Sequence, residues 1–284
     1  MFLTLVSLLA MLTLPTGELP VPQPMPSAMG VSVAWQRGDS WADESLALLT
    51  PKLWMNWVFD HNEDAAYVPM AFSLKSIDPY LEAAKAATHK TWLLGNEPDL
   101  SSTYISPTDA AVFSQRWVAE VGAPMACCGV IVHKDYTGGL QWMSNYLAAG
   151  GVVPDYWQIH IYFVQNSFEW QLSLNSFVAW MEANDVVRPI IVSETAMTES
   201  GDASALLEYV NSKVDDGTIH ASIWYSDLDY WTLWPQSDLR TEGELTELGE
   251  LYVRLSGLGE PLAEDETEQP GESFTMWLPK MVSN

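Results

Sequence analysis

Positive charge is scarce in this 284-residue chain: 12 Lys and Arg stand against 37 Asp and Glu, for a formal net charge of −25. A surface of that sign repels nucleic acid, anionic lipid and acidic polysaccharide, so the expected partner is neutral. Cysteine is almost absent. The only two, Cys127 and Cys128, are adjacent, and successive residues of a strand point to opposite faces. They therefore read as small buried apolar side chains rather than a disulfide or a metal site, and no disulfide framework reports on the redox compartment. Long apolar runs are missing too: the longest at the N-terminus, Phe2 to Leu14, has 13 residues, short of the roughly 18 or more of a membrane span. No integral membrane span is expected. The five histidines (His61, His89, His133, His160 and His220) show no HExxH or related ligand spacing, which argues against a zinc hydrolase and calls for no metal or cofactor.

What the chain does have is aromatic surface, with 14 Trp and 11 Tyr. Flat rings suit stacking on sugars, although most are expected in the core. The 13-residue apolar run has the length of a signal-peptide core, so residues 1–17 read as an export signal and the product as secreted or cell-surface. Proline-rich residues 18–29 read as a stiff linker. Residues 258–284 form an acidic, proline-bearing linker and an apolar tail. Between them, residues 30–257 alternate short apolar runs with helical patterns. Strands are expected near Val31, Leu53, Tyr67, Trp92, Met125, Asp155, Pro189 and His220, and helices near Asp39, Asp78, Pro107, Gly138, Trp170, Ala203 and Glu242. Eight such strands in one α/β domain of about 230 residues predict a single (β/α)8 TIM barrel.

Two of these strands end in the same way. Thr91-Trp-Leu-Leu-Gly-Asn-Glu-Pro-Asp99 and Arg188-Pro-Ile-Ile-Val-Ser-Glu194 each run apolar and then present a Glu. A barrel gathers the C-terminal ends of its strands on one face, which would bring Glu97 and Glu194 together although 97 positions separate them. Paired carboxylates are what glycosidic bond cleavage needs: one protonated to donate to the leaving oxygen, the other ionised to attack the anomeric carbon. Glu97, beside Asn96 and stiffened by Pro98, is the candidate acid/base; Glu194 is the candidate nucleophile. By period-two alternation Gln158, His160 and Tyr162 share a face, with Tyr162 placed to hold Glu194 and His160 near it. Asn96, Trp224, Trp35 and Asn56, with Trp57, are further candidates for contact with a sugar, and His133 closes the fifth strand at the same rim.

The combination of Gly-Asn-Glu-Pro-Asp, His160-x-Tyr162, Ser-Glu-Thr around Glu194 and the late Trp224 resembles clan A glycoside hydrolases. It is most similar to the family 128 small-barrel endo-β-1,3-glucanases, over roughly Gly30 to Ser256. The resemblance implies a retaining mechanism without metal, with Glu97 as acid/base, Glu194 as nucleophile and Asn96 on the sugar, acting on a neutral polysaccharide or oligosaccharide. Thr195 stands where such families commonly carry an aromatic residue. Two alternatives remain at this point: a clan A enzyme acting on mannan or xylan, and a glycan-binding barrel without activity.

Overall fold

The computed structural model describes residues 25–34, 38–61, 63–74, 77–198, 201–228 and 234–257. The export signal assigned to 1–17, most of the linker at 18–29, the tail at 258–284 and the candidate Trp35 lie outside the described residues. Eight parallel strands form one sheet: β1 (Met29–Ser32), β2 (Trp54–Met55), β3 (Met70–Ala71), β4 (Trp92–Leu94), β5 (Met125–Ile131), β6 (Tyr156–Ile161), β7 (Ile190–Thr195) and β8 (Ala221–Trp224). Their order is β2-β1-β8-β7-β6-β5-β4-β3. The ends of that order meet at a parallel bridge between Trp54 and Tyr67, with Val68 N donating to Trp54 O and Met70 N to Val58 O. This closes the sheet into a nearly complete barrel. β3 is short because Pro69 has no N–H to give to a ladder.

Seven α-helices among the described residues cover the barrel: α1 (Asp39–Leu49), α2 (Asp78–Ala86), α3 (Pro107–Glu120), α4 (Gly138–Ala148), α5 (Ser167–Ala183), α6 (Ala203–Asp215) and α7 (Glu247–Leu255). Four of them begin where a side-chain oxygen takes up an orphan backbone donor: Ser106, Asn166, Asp202 and Thr246 accept from Asp109, Glu169, Ala205 and Gly249 N–H respectively. Two of these caps move helix starts from their expected places. α5 begins three residues before Trp170, because Asn166 caps it. α7 begins five residues after Glu242, because Gly243, at φ 89°, turns the chain back so that Arg240 and Leu245 pair first. Among the described residues no helix connects β2 to β3.

Two apolar layers result. Inside the barrel, Leu53, Met55, Met70, Leu93, Ile191 and Ile223 fill the axis, and Met25 and Ala28 seal its N-terminal end. Between sheet and helices lies the larger layer, in which Trp92, Trp117, Trp157, Trp170 and Trp224 are fully buried. Each of these indoles donates its N–H to an acceptor, for example Trp117 to Ala123 O at 2.8 Å and Trp224 to Ser237 O at 2.9 Å; a buried indole left unpaired would be costly.

The cysteine reading needs correction. Cys127 and Cys128 are buried, at 1% and 0% exposure, but they are joined as a disulfide between neighbours. Strand alternation assumes a trans peptide. The peptide between these two is cis, with Cα atoms 3.0 Å apart, so both side chains turn to the same side.

Candidate active site

The β4 and β5 ends are brought close by two glycines. Gly95 (φ 90°) and Gly129 (φ 68°) face each other; a Cβ on Gly129 would stand 2.8 Å from Gly95 O, and one on Gly95 2.8 Å from Cys128 O. Only glycine accommodates both the approach and the left-handed backbone. The approach lets Glu97 N donate to Gly129 O at 2.9 Å. Glu97 itself sits at φ 47°, a strained conformation for a side-chain-bearing residue, and Thr103 Oγ1 donates to its carbonyl at 2.5 Å. The loop is thus tied on both sides of the carboxylate it presents.

β7 delivers Glu194 through an irregularity. Ile159 pairs with Val192, but His160 pairs with Glu194, so Ser193 is the extra residue of a bulge. A bulge re-aims the side chain that follows it. Glu194 lands opposite His160 and is 4% exposed. Trp57 Nε1 donates to its Oε1 at 2.6 Å, and Tyr162 OH to its Oε2 at 2.8 Å. His160, fully buried, points Nδ1 between the two carboxylates, 3.3 Å from Glu97 Oε1 and 3.4 Å from Glu194 Oε2. One oxygen of each glutamate and this nitrogen all lie within 4.8 Å of one another.

The electrostatics follow from burial and this crowding. Burial raises the pKa of Glu194 above the ordinary carboxylate value; His160 opposes the rise, the Glu97 charge adds to it, and the Trp57 and Tyr162 donors oppose it. For His160, burial works against the charged form, but the Glu194 and Glu97 carboxylates outweigh it and the pKa is raised. Tyr162 is held well above its usual range by burial and the Glu194 charge, and so stays a donor. Two donors, Trp57 and Tyr162, converge on Glu194 with the His160 imidazole beside it, which suits it to carry charge. Glu97, whose side chain is 21% exposed, faces the cleft.

That cleft has a volume of about 900 Å³. Asn96, Glu97, Glu194, Tyr162 and Trp57 line it together with Phe72, Tyr80, Phe163, Tyr225 and Trp234; among the described residues that line it there is no Lys or Arg. Asn96 Oδ1 has no partner among the described residues, leaving it as an acceptor beside Glu97. Other candidates lie elsewhere. Trp224 is in the layer between sheet and helices, and the Asn56 amide oxygen is taken by Tyr67 OH at 2.7 Å. His133 Nε2 pairs with Phe163 O at 3.1 Å, bracing a loop whose Phe163 sits at φ 58° and is 51% exposed.

Tyr225, Trp234 and Phe163 were not singled out from the sequence. Tyr225 is legible in the sequence, because alternation on β8 sends Trp224 outward and its neighbour to the other side. The loop that carries Tyr225 is anchored by Asp227, fully buried, which accepts from Ala34 N at 2.8 Å, Trp41 Nε1 at 2.8 Å and Ser45 Oγ at 2.6 Å. Arg240, also fully buried, donates to Ser45 Oγ and to Glu44.

Comparison with known proteins finds the same fold in solved structures. Solved structures of the same fold include a glycoside hydrolase family 128 (subgroup I) endo-β-1,3-glucanase from Amycolatopsis mediterranei in complex with laminaripentaose, at 23% identity and TM-score 0.62, covering 80% of this chain and 98% of that one. A subgroup IV endo-β-1,3-glucanase from Lentinula edodes matches at 19% identity and TM-score 0.61, covering 80% and 99%. A subgroup VI exo-β-1,3-glucanase from Aureobasidium namibiae matches at 19% and 0.63, covering 81% and 97%. No curated protein matches by sequence. Residues 32–252 match the family described as "Glycosyl hydrolase catalytic core", and with that span covering most of its length the chain belongs to this glycosyl hydrolase family.

Proposed function

We propose that this glycoside hydrolase is a retaining endo-β-1,3-glucanase, exported to the cell surface or beyond, that cleaves a neutral β-glucan. The observation that carries the reading is the Glu97–Glu194 pair, with oxygens within 4.8 Å at the floor of an aromatic cleft. Retaining enzymes hold their carboxyl groups about 5–5.5 Å apart, whereas inverting ones need about 6.5–9.5 Å for a water. Two structures of the Amycolatopsis enzyme support the assignment: each carries laminari-oligosaccharides in a variant lacking one glutamate, and the two replaced glutamates are separated by the same 97 positions as Glu97 and Glu194. The exo-acting relative shares the fold, so endo action rests on the open cleft, and export on the apolar run at Phe2 to Leu14.

In this mechanism Glu97 donates its proton to the glycosidic oxygen while Glu194 attacks the anomeric carbon, giving a covalent glycosyl-enzyme and releasing the leaving chain with a new non-reducing-end hydroxyl. Glu97, now ionised, takes a proton from water, which displaces Glu194 and restores both groups. Trp57 and Tyr162 hold the attacking carboxylate in line, and Asn96 accepts from a sugar hydroxyl. Incubation with laminarin is expected to give internal cleavage products. Glu194→Ala should abolish this, and azide should restore turnover as a glycosyl azide. Undiminished hydrolysis by that variant would remove the nucleophile from Glu194; cleavage of mannan or xylan in place of laminarin would move the specificity to another clan A substrate.

A further inference from the structure

We propose that the catalytic triangle of Glu97, His160 and Glu194 is also a zinc site, so that Zn2+ occupies it as an inhibitor. The argument starts from the donor set. One imidazole nitrogen and two carboxylate oxygens are ligands that Zn2+ takes readily, with three protein groups and one position left open. Tetrahedral bonds of about 2.0–2.1 Å keep neighbouring donor atoms about 3.3–3.4 Å apart. His160 Nδ1 stands 3.3 Å from Glu97 Oε1 and 3.4 Å from Glu194 Oε2, so two edges of the tetrahedron are already set.

The third edge lies within 4.8 Å and must shorten. Glu97 is the side chain with room to turn, being 21% exposed against 6% for Glu194. The open position then faces the cleft. His160 is fully buried, which fixes the aim of Nδ1, and its Nε2 has no hydrogen-bond partner among the described residues, which leaves the ring free to bind through Nδ1. Nitrogen ligation and low coordination favour Zn2+ over Mg2+ or Ca2+, which demand more oxygen ligands. The net charge of −25 concentrates cations around the molecule.

Bound there, the ion takes the oxygen through which Glu97 donates a proton and one through which Glu194 attacks. The inhibitory consequence rests on the glycosidase reading; the binding itself does not. The test is titration of the full chain with Zn2+ against a chromophoric chelator, alongside the visible spectrum of the Co2+ form. One site per chain with a tetrahedral Co2+ spectrum is expected, weakened tenfold or more in Glu97→Gln, His160→Gln and Glu194→Gln. Should the buried His160 variant fail to fold, Glu97→Gln, at the more exposed of the two glutamates and checked by circular dichroism, carries the test. Binding unchanged in Glu97→Gln and Glu194→Gln would overturn the proposal by assigning the zinc to surface carboxylates, as would laminarin hydrolysis unaffected by saturating Zn2+. A chain that binds Zn2+ as described but cleaves no glycan would keep the metal site and remove the glycosidase reading instead.

Discussion

At the scale of single residues, Glu194, the proposed nucleophile, is held by an indole as much as by its partner tyrosine. Trp57 Nε1 donates to Glu194 at 2.6 Å, and a hydrogen bond to a charged group contributes about 1.5–3 kcal/mol. Trp57→Phe keeps the ring against Tyr225 and removes only the donor, so kcat is expected to fall about 10- to 100-fold with little change in thermal stability; an unchanged kcat would show that Tyr162 and His160 suffice. Asp99 poses a different question. Burial pushes its carboxyl up to about 6, against the opposing effect of the Ile131 N–H, His160 and Tyr136. A raised folded pKa means that the folded state binds the proton more tightly than the unfolded chain. The contribution is therefore fully present below about pH 4 and is lost as pH rises through 6, a loss of about 3 kcal/mol for a shift of about two units. Asp99→Asn has no proton to lose. Urea unfolding at pH 4 and pH 7.5 should show the variant matching the parent at the lower pH and exceeding it at the higher; equal pH dependence in both would mean Asp99 is not the group.

Strands and the turns that end them are the scale at which the site is aimed, and here glycine decides. Gly122 and Gly129 both have φ near 70°, but a Cβ on Gly122 meets nothing within 4 Å, while one on Gly129 meets Gly95 O at 2.8 Å. Alanine at either position carries the left-handed penalty of about 1–2 kcal/mol. Gly122→Ala should show that cost in denaturant unfolding and keep full activity, whereas Gly129→Ala should lose more stability and also displace Glu97, whose N–H rests on Gly129 O, lowering kcat. The strand-end carboxylates were legible because an apolar run that stops at Glu is a local pattern, and His160 with Tyr162 because β alternation is a local rule. The Gly129 and Ser193 bulges, which turn those side chains toward one point, depend on pairing between strands far apart in sequence, and no local pattern carries that. The disulfide between Cys127 and Cys128 escaped for a related reason: alternation was applied across a peptide that is not trans.

For the whole molecule, the eightfold alternation was legible from segment lengths and periodicity, and it is the closure of the barrel that converts it into a site, since Trp57 from β2, Glu97 from β4, Tyr162 from β6 and Glu194 from β7 meet only when the ring closes. The aromatic count was a weaker guide. Five tryptophans are fully buried between sheet and helices, while the cleft draws on Trp57 and Trp234, because a wide ring serves the core as well as it serves a sugar. Charge is the one property that acts on the substrate before any contact. With −25 spread over the chain and no Lys or Arg among the described residues that line the cleft, the field on approach is repulsive to anions and indifferent to neutral chains. At about 0.01 M ionic strength that field reaches about 30 Å, and at 1 M about 3 Å. Hydrolysis of neutral laminarin should therefore give the same kcat/KM from 0.01 M to 1 M salt, whereas a carboxymethylated β-1,3-glucan should be a poor substrate at low salt whose kcat/KM rises several-fold as salt is added. The rise belongs to KM rather than kcat, because screening changes the approach and leaves Glu97 and Glu194 where they are. An anionic glucan cleaved best at low salt would mean that a positive patch outside the cleft, and not the net charge, governs how substrate arrives.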